Sequence, residues 1–202
     1  MRCFTAIRLP ETVRELLARQ INRLRGAGGR VSWTRDENLH LTLRFLGEVT
    51  PEQLEAYGVR LAGMLAELPP VTLQVAGLGA FPNLRKPSIL WAGASLVAGD
   101  LGTLWQATES CAAAVGLPPE TKAFHPHITL GRVREPHPPE AFHRLLVETA
   151  QSAPVFGDAF TVHSVALFRS ELRPAGPLYT VLKEFTLRCT IPDSSPSSYT
   201  AP

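Results

Sequence analysis

Apolar residues along this chain follow two periods, one of two residues and one of 3.6, and the two alternate from segment to segment. Strand-like alternation occupies residues 2–9, 31–33, 38–46, 71–78, 88–94, 127–133, 160–168 and 178–187. Helical spacing occupies residues 11–25, where Val13, Leu16, Leu17, Ile21 and Leu24 share one face and Arg14, Arg19 and Arg23 the other. Thr50-Pro51-Glu52 reads as an N-cap followed by proline in the first turn, opening a helix that runs to about Glu67. Two more helices are expected over residues 100–115, ending at Gly116, and over residues 139–149. Residues 26–30 break the chain after the first helix, and residues 81–87 form a loop joining two strands.

These elements are interspersed without the strict strand–helix–strand rhythm of a parallel sheet, which argues for an α+β fold with antiparallel sheets. Two halves repeat one order: a strand, then a helix, then two more strands. The expectation is a bilobal, pseudo-twofold arrangement of two antiparallel sheets flanking a central cleft, with helices on the outside. Residues 1–190 are expected to form that single bilobal domain, and residues 191–202, rich in Ser and Pro, are expected to form a flexible tail.

The repeat carries a motif. His40-Leu-Thr-Leu43 and His127-Ile-Thr-Leu130 lie at matching points of the two halves. Residues two apart on a strand share a face, so His40 stands beside Thr42 and His127 beside Thr129. One such pair is a common accident; two suggest imidazoles facing each other across a cleft.

Composition narrows the function classes. No apolar run is long enough to span a bilayer, and the N-terminus reads as a strand interrupted by Arg8 without a signal-peptide core, so no membrane association and a cytoplasmic location are expected. Cys3, Cys111 and Cys189 are far apart and in no C-x-x-C pair, which argues against a disulfide framework or a zinc site. A net charge of +2 is too small to coat nucleic acid broadly. Arg44, Arg85, Lys86, Arg132 and Arg134 nevertheless offer a local phosphate-binding patch.

Breaking a phosphodiester calls for a base to deprotonate water and an acid to protonate the departing oxygen. Imidazole titrates near neutrality, so one neutral and one protonated histidine can coexist. Threonine hydroxyls and a guanidinium supply hydrogen bonds to the nonbridging oxygens, which leaves nothing for a metal or other cofactor to do. His125-Pro126-His127 keeps metal ligation as an alternative, although no carboxylate or cysteine cluster stands near it. His137, His143 and His163 read as surface or structural residues. No G-x-S-x-G elbow or glycine-rich phosphate loop is present.

With FTAIRLP, WTRDENLHLTLRFLGEV, GLGAFPNLRKPSILWAG, FHPHITLGRVR and the closing SVALFRSEL and GPLYTVLKEFTL, the chain resembles the two-histidine phosphoesterases. Within them it is similar to the bacterial and archaeal RNA 2′,3′-cyclic phosphodiesterases, also called 2′-5′ RNA ligases. The extended motifs H-x-T-x-x-F and H-x-T-x-x-R stand intact as His40, Thr42, Phe45 and His127, Thr129, Arg132. The resemblance implies a bilobal fold and metal-free opening of RNA 2′,3′-cyclic phosphate ends to a 2′-phosphate. It leaves open a reverse 2′-5′ joining reaction, and it implies RNA ends as partners, with tRNA fragments among the candidates, and a monomer. By the same resemblance His40 is the general acid, His127 the general base, Arg132 a bidentate clamp on phosphate and Phe45 a stacking surface for the terminal base.

Strict alternation conflicts with part of this. Phe45 and Arg132 each lie five residues past their histidine, which puts them on the opposite face. A bulge at Gly131 would return Arg132 to the cleft; nothing comparable marks Phe45, which reads equally as a core aromatic. Two other readings remain: the same site acting on small nucleotides such as an ADP-ribose cyclic phosphate, and a non-catalytic RNA-end binding module.

Overall fold

The two rhythms of the sequence become strands and helices close to where they were expected. The computed structural model describes residues 1–135, 138–174 and 176–188, so the expectations for His137, Cys189 and the tail 191–202 lie outside the described residues. In chain order the elements are β1 (Arg2–Arg8), α1 (Glu11–Gly26), β2 (Val31–Trp33), a 3₁₀ turn (Asp36–Asn38), β3 (His40–Glu48), α2 (Pro51–Glu67), β4 (Val71–Phe81), β5 (Ile89–Ala98), α3 (Leu101–Ala114), β6 (His127–Val133), α4 (Glu140–Gln151), β7 (Phe160–Val162), β8 (Ser164–Arg173) and β9 (Gly176–Thr186). The start of α2 has the expected chemistry in full. Thr50 Oγ1 accepts from Gln53 N at 3.2 Å while Gln53 Oε1 accepts from Thr50 N at 3.1 Å, a capping box with Pro51 in the first turn.

All strand pairings are antiparallel, in the order β7-β4-β5-β6-β3-β1-β8-β9, with β2 also beside β6. The halves β7-β4-β5-β6 and β3-β1-β8-β9 meet through one register pair, Leu41 to Ile128. The two expected sheets are therefore one hydrogen-bonded sheet with a narrow waist, and the motif strands β3 and β6 form that waist. The stretch expected as one strand over 160–168 is two, broken at His163. β7 continues the far edge beside β4, whereas β8 lies between β1 and β9. Neighbouring strands in the chain thus sit near opposite ends of the sheet order, which requires the sheet to curl.

One face of the curl is covered by helices: α2 and α3 pack on each other and on β9 and β3, and α4 packs on β4. Leu41, Leu61, Leu65, Leu73, Val75, Leu90, Ile128 and Leu130 are fully buried on this side, each worth about 1.5–3 kcal/mol of transfer free energy. On the other face a small cluster of Phe4, Ala6, Ala166 and Phe168, with Tyr179 against it, floors the concavity. Inward-pointing side chains of β3 and β6 therefore face an open cleft and not a packed core.

Candidate active site

Each motif strand carries a bulge at the same place. Between β1 and β3, Ala6 faces Thr42 but Thr5 faces Arg44, leaving Leu43 as the extra residue. Between β5 and β6, Trp91 faces Thr129 but Leu90 faces Gly131, leaving Leu130 as the extra residue. A bulge puts two consecutive residues on one side and reverses the alternation beyond it. Accordingly Leu43 with Arg44, and Leu130 with Gly131, are both buried on the helix side. Phe45 and Arg132 return to the cleft. Phe45 is 55 % exposed with its ring 5.8 Å from that of Phe4, so the core-aromatic reading is overturned. Gly131 is required at its bulge, because a Cβ there would lie 2.8 Å from Val31 Cγ1 and 2.9 Å from the Trp33 ring.

The waist register sets the geometry of the two histidines. Continuing the antiparallel pairing from Leu41–Ile128 puts His40 opposite Thr129 and Thr42 opposite His127. The imidazoles then stand on the diagonal, a relation that separates Cβ atoms by on the order of 7 Å. Both rings are anchored alike. His40 Nδ1 lies 2.7 Å from Asn38 O and His127 Nδ1 lies 2.7 Å from His125 O. A carbonyl only accepts, so each Nδ1 carries the proton and each Nε2 is left for chemistry. His40 Nε2 is 3.0 Å from Thr42 Oγ1; His127 Nε2 makes no hydrogen bond among the described residues.

The surroundings of the two rings differ. His40 sits against Phe4 at 4.9 Å and edge-on to Tyr179 at 5.4 Å. Burial holds its pKa below the ordinary imidazole value, the Asn38 carbonyl opposes that shift, and the charge of His127 adds to it. His127 packs edge-on against Phe81 at 5.1 Å and beside Trp91 at 6.5 Å.

The cleft is about 990 Å³. Five of the six expected site residues line it: His40, Thr42 and Phe45 from β3, Thr129 and Arg132 from β6. His127 is not part of that lining and stands beyond Thr129 against its own aromatic pair. Of the expected phosphate patch, Arg132 and Arg134 line the cleft, but the others do not. Arg44 is turned to the helix side by the bulge, where its Nε stands 2.9 Å from Glu109 Oε1 of α3 and its Nη2 donates to Pro118 O. Arg85 and Lys86 are exposed in the β4–β5 turn, their backbone N–H groups donating to Asn83 Oδ1. His125 contributes its backbone carbonyl, with its own ring 6.3 Å from Phe81. Among the described residues no three His, Cys, Asp or Glu side chains converge as a metal site.

Sequence reasoning missed Asn38 and Tyr179. Asn38 supplies the carbonyl for His40 and donates from Nδ2 to Pro177 O at 3.0 Å, tying the His40 loop to the start of β9. The sequence held no signal for this contact: every residue carries a backbone carbonyl, and only the fold brings the one two residues before each motif histidine to Nδ1. Tyr179 left no local signal, since it reaches His40 only through the pairing of β8 with β9 and of β8 with β1.

The chain matches the family described as LigT-like phosphoesterases over residues 7–91 and 97–179. It is 38 % identical to the RNA 2′,3′-cyclic phosphodiesterase of Thermus thermophilus over 93 % of this chain and 91 % of that protein. It is 34 % identical to the protein of the same name from Aeropyrum pernix over 83 % and 93 %. Among solved structures, TT0787 of Thermus thermophilus superposes with a TM-score of 0.74 at 36 % identity, covering 93 % of this chain and 98 % of that one. LigT of E. coli, solved in complex with 3′-AMP, superposes with a TM-score of 0.70 at 31 % identity, covering 92 % and 97 %.

Proposed function

This chain belongs to the LigT-like phosphoesterases, and from that premise we propose that it hydrolyses the 2′,3′-cyclic phosphate at RNA ends to a 2′-phosphate by a two-histidine mechanism that needs no metal. The observation that carries the reading is the matched anchoring of the two imidazoles, each with Nδ1–H fixed on the carbonyl two residues upstream and Nε2 left for proton transfer. Relatives named RNA 2′,3′-cyclic phosphodiesterase at 29–38 % identity support the substrate class.

Water is activated by His127 Nε2 and forms the new P–O bond; the bond from phosphorus to O3′ breaks, and His40 Nε2 delivers a proton to O3′. Each proton transfer contributes about 10²- to 10⁴-fold. Thr42, Thr129 and the Arg132 guanidinium bind the nonbridging oxygens, where charge grows in the transition state. Phe45, exposed beside Phe4, offers a face for the terminal base. The lowered pKa of His40 makes it a stronger acid once protonated, and the anionic phosphate entering beside it favours the protonated form.

The test is incubation with an RNA ending in a 2′,3′-cyclic phosphate in the presence of EDTA, followed by assignment of the product phosphate. A 2′-phosphate is the expected product. A 3′-phosphate would reverse the leaving group, and binding without turnover would make the chain an RNA-end binding module.

A further inference from the structure

The charge of the cleft exceeds what its proposed reaction needs. Five arginines line it, Arg2, Arg35, Arg132, Arg134 and Arg173, and no aspartate or glutamate is among the described lining residues. A cyclic phosphodiester carries one negative charge, which Arg132 alone can meet. Two of the other four stand beside carboxylates, Arg173 at 3.0 Å from Glu171 and Arg35 at 3.9 Å from Glu37. Arg134 differs from them. Its Nε donates to Ser32 Oγ at 2.9 Å and its backbone N–H donates to Arg30 O at 2.7 Å. The arm is thereby fixed on β2, and the two terminal nitrogens make no hydrogen bond among the described residues. A guanidinium held in this way is suited to grip two oxygens of one phosphate.

Arg134 lies two residues past Arg132, just beyond the end of β6, which spaces the two backbones by about 6.6 Å. That separation is of the same order as the spacing of the two phosphates flanking one ribose in a nucleic acid. We propose that Arg134, braced by Ser32, binds the phosphate on the 5′ side of the terminal nucleotide, so that the enzyme selects the end of a polynucleotide over an isolated cyclic nucleotide. This rests on the proposed function and assigns the reading of chain continuity to a second phosphate subsite.

The experiment compares a nucleoside 2′,3′-cyclic phosphate with the same compound carrying a 5′-phosphate. Wild-type enzyme should favour the 5′-phosphorylated compound in kcat/KM by about tenfold or more, the scale of one charge-assisted hydrogen-bonded contact. Arg134→Gln should bring that ratio to within about twofold of one, whatever it does to the shared part of the substrate. The ratio is also read from Kd by calorimetry on a nucleoside 2′-phosphate and the matching 2′,5′-bisphosphate, which does not depend on turnover. Absence of hydrolysis on both compounds would count against the proposed function, with the subsite still decided by binding. A wild-type ratio near one, or a ratio that survives Arg134→Gln, overturns the subsite.

Discussion

Replacing Gly131 by Ala tests whether the β6 bulge is what aims Arg132 into the cleft. The new methyl would stand 2.8 Å from Val31 Cγ1, 2.9 Å from Trp33 Cε3 and 3.3 Å from Ser32 O. Two of these atoms belong to a β-branched side chain and an indole ring, and the third is backbone, so none is a flexible tip. β2 must retreat by about 0.7 Å to restore an ordinary carbon–carbon separation. That retreat lengthens the Arg134–Ser32 contact, now 2.9 Å, to beyond hydrogen-bond range. Overpacking of this kind costs about 1–3 kcal/mol, which lowers Tm by roughly 2–4 °C per kcal/mol in a chain of this size. Displacing Arg132, the proposed phosphate clamp, by a fraction of an ångström should lower kcat/KM on a cyclic phosphate by about tenfold, with a hundredfold as the scale for a full ångström. Urea unfolding and steady-state kinetics measure the two effects. Gly63→Ala is the control: it lies in α2 with nothing within 4 Å of the added carbon, so it should add up to about 1 kcal/mol of stability and leave kinetics unchanged. A Gly131→Ala variant as stable and active as wild type would show that sterics at β2 do not hold the bulge, and the account of how Arg132 reaches the cleft would be wrong.

His40→Ala and His127→Ala should each remove nearly all turnover with far-UV CD and Tm retained; more than about a tenth of wild-type rate in either would end that histidine's proposed role. Arg132→Lys should lose mainly kcat, because an ammonium cannot replace a planar fork on two oxygens; Arg144→Lys, exposed on α4 away from the cleft, is the control, and equal behaviour of the two would refute the clamp. By NMR titration His40 should protonate below 6.5, its ordinary value, and His127→Gln should raise its pKa by removing a positive neighbour. Because the folded value is depressed, the neutral ring stabilises the fold above 6.5, and that contribution is lost as pH falls through 6.5 to the folded value. An unchanged His40 titration in His127→Gln would mean that the two rings do not sense each other.

Features that depend on near neighbours in the chain are legible from its order of residues alone. Helix α2 begins at Pro51 because Thr50 and Gln53 satisfy each other's backbone donors within one turn. His40 and Thr42 share a face because successive side chains of a strand alternate, and the same rule pairs His127 with Thr129. Two copies of the motif were enough to expect a cleft between two halves. The tertiary structure decided everything that depends on which strand lies alongside. Phe45 and Arg44 differ by one residue, and only the Thr5–Arg44 register against β1 sends one to the cleft and the other to Glu109. Gly131 hinted at the second bulge, but Leu43-Arg44 carries no such mark, so the first was invisible along the chain. The break at His163 is equally unmarked: residues 160–168 alternate well enough for one strand, and the change of neighbour from β4 to β1 comes from the curl of the sheet. Alternation is a property of the backbone alone, whereas register is settled by pairings between residues tens of positions apart, and in this protein the single pair Leu41–Ile128 sets how the two histidines face each other.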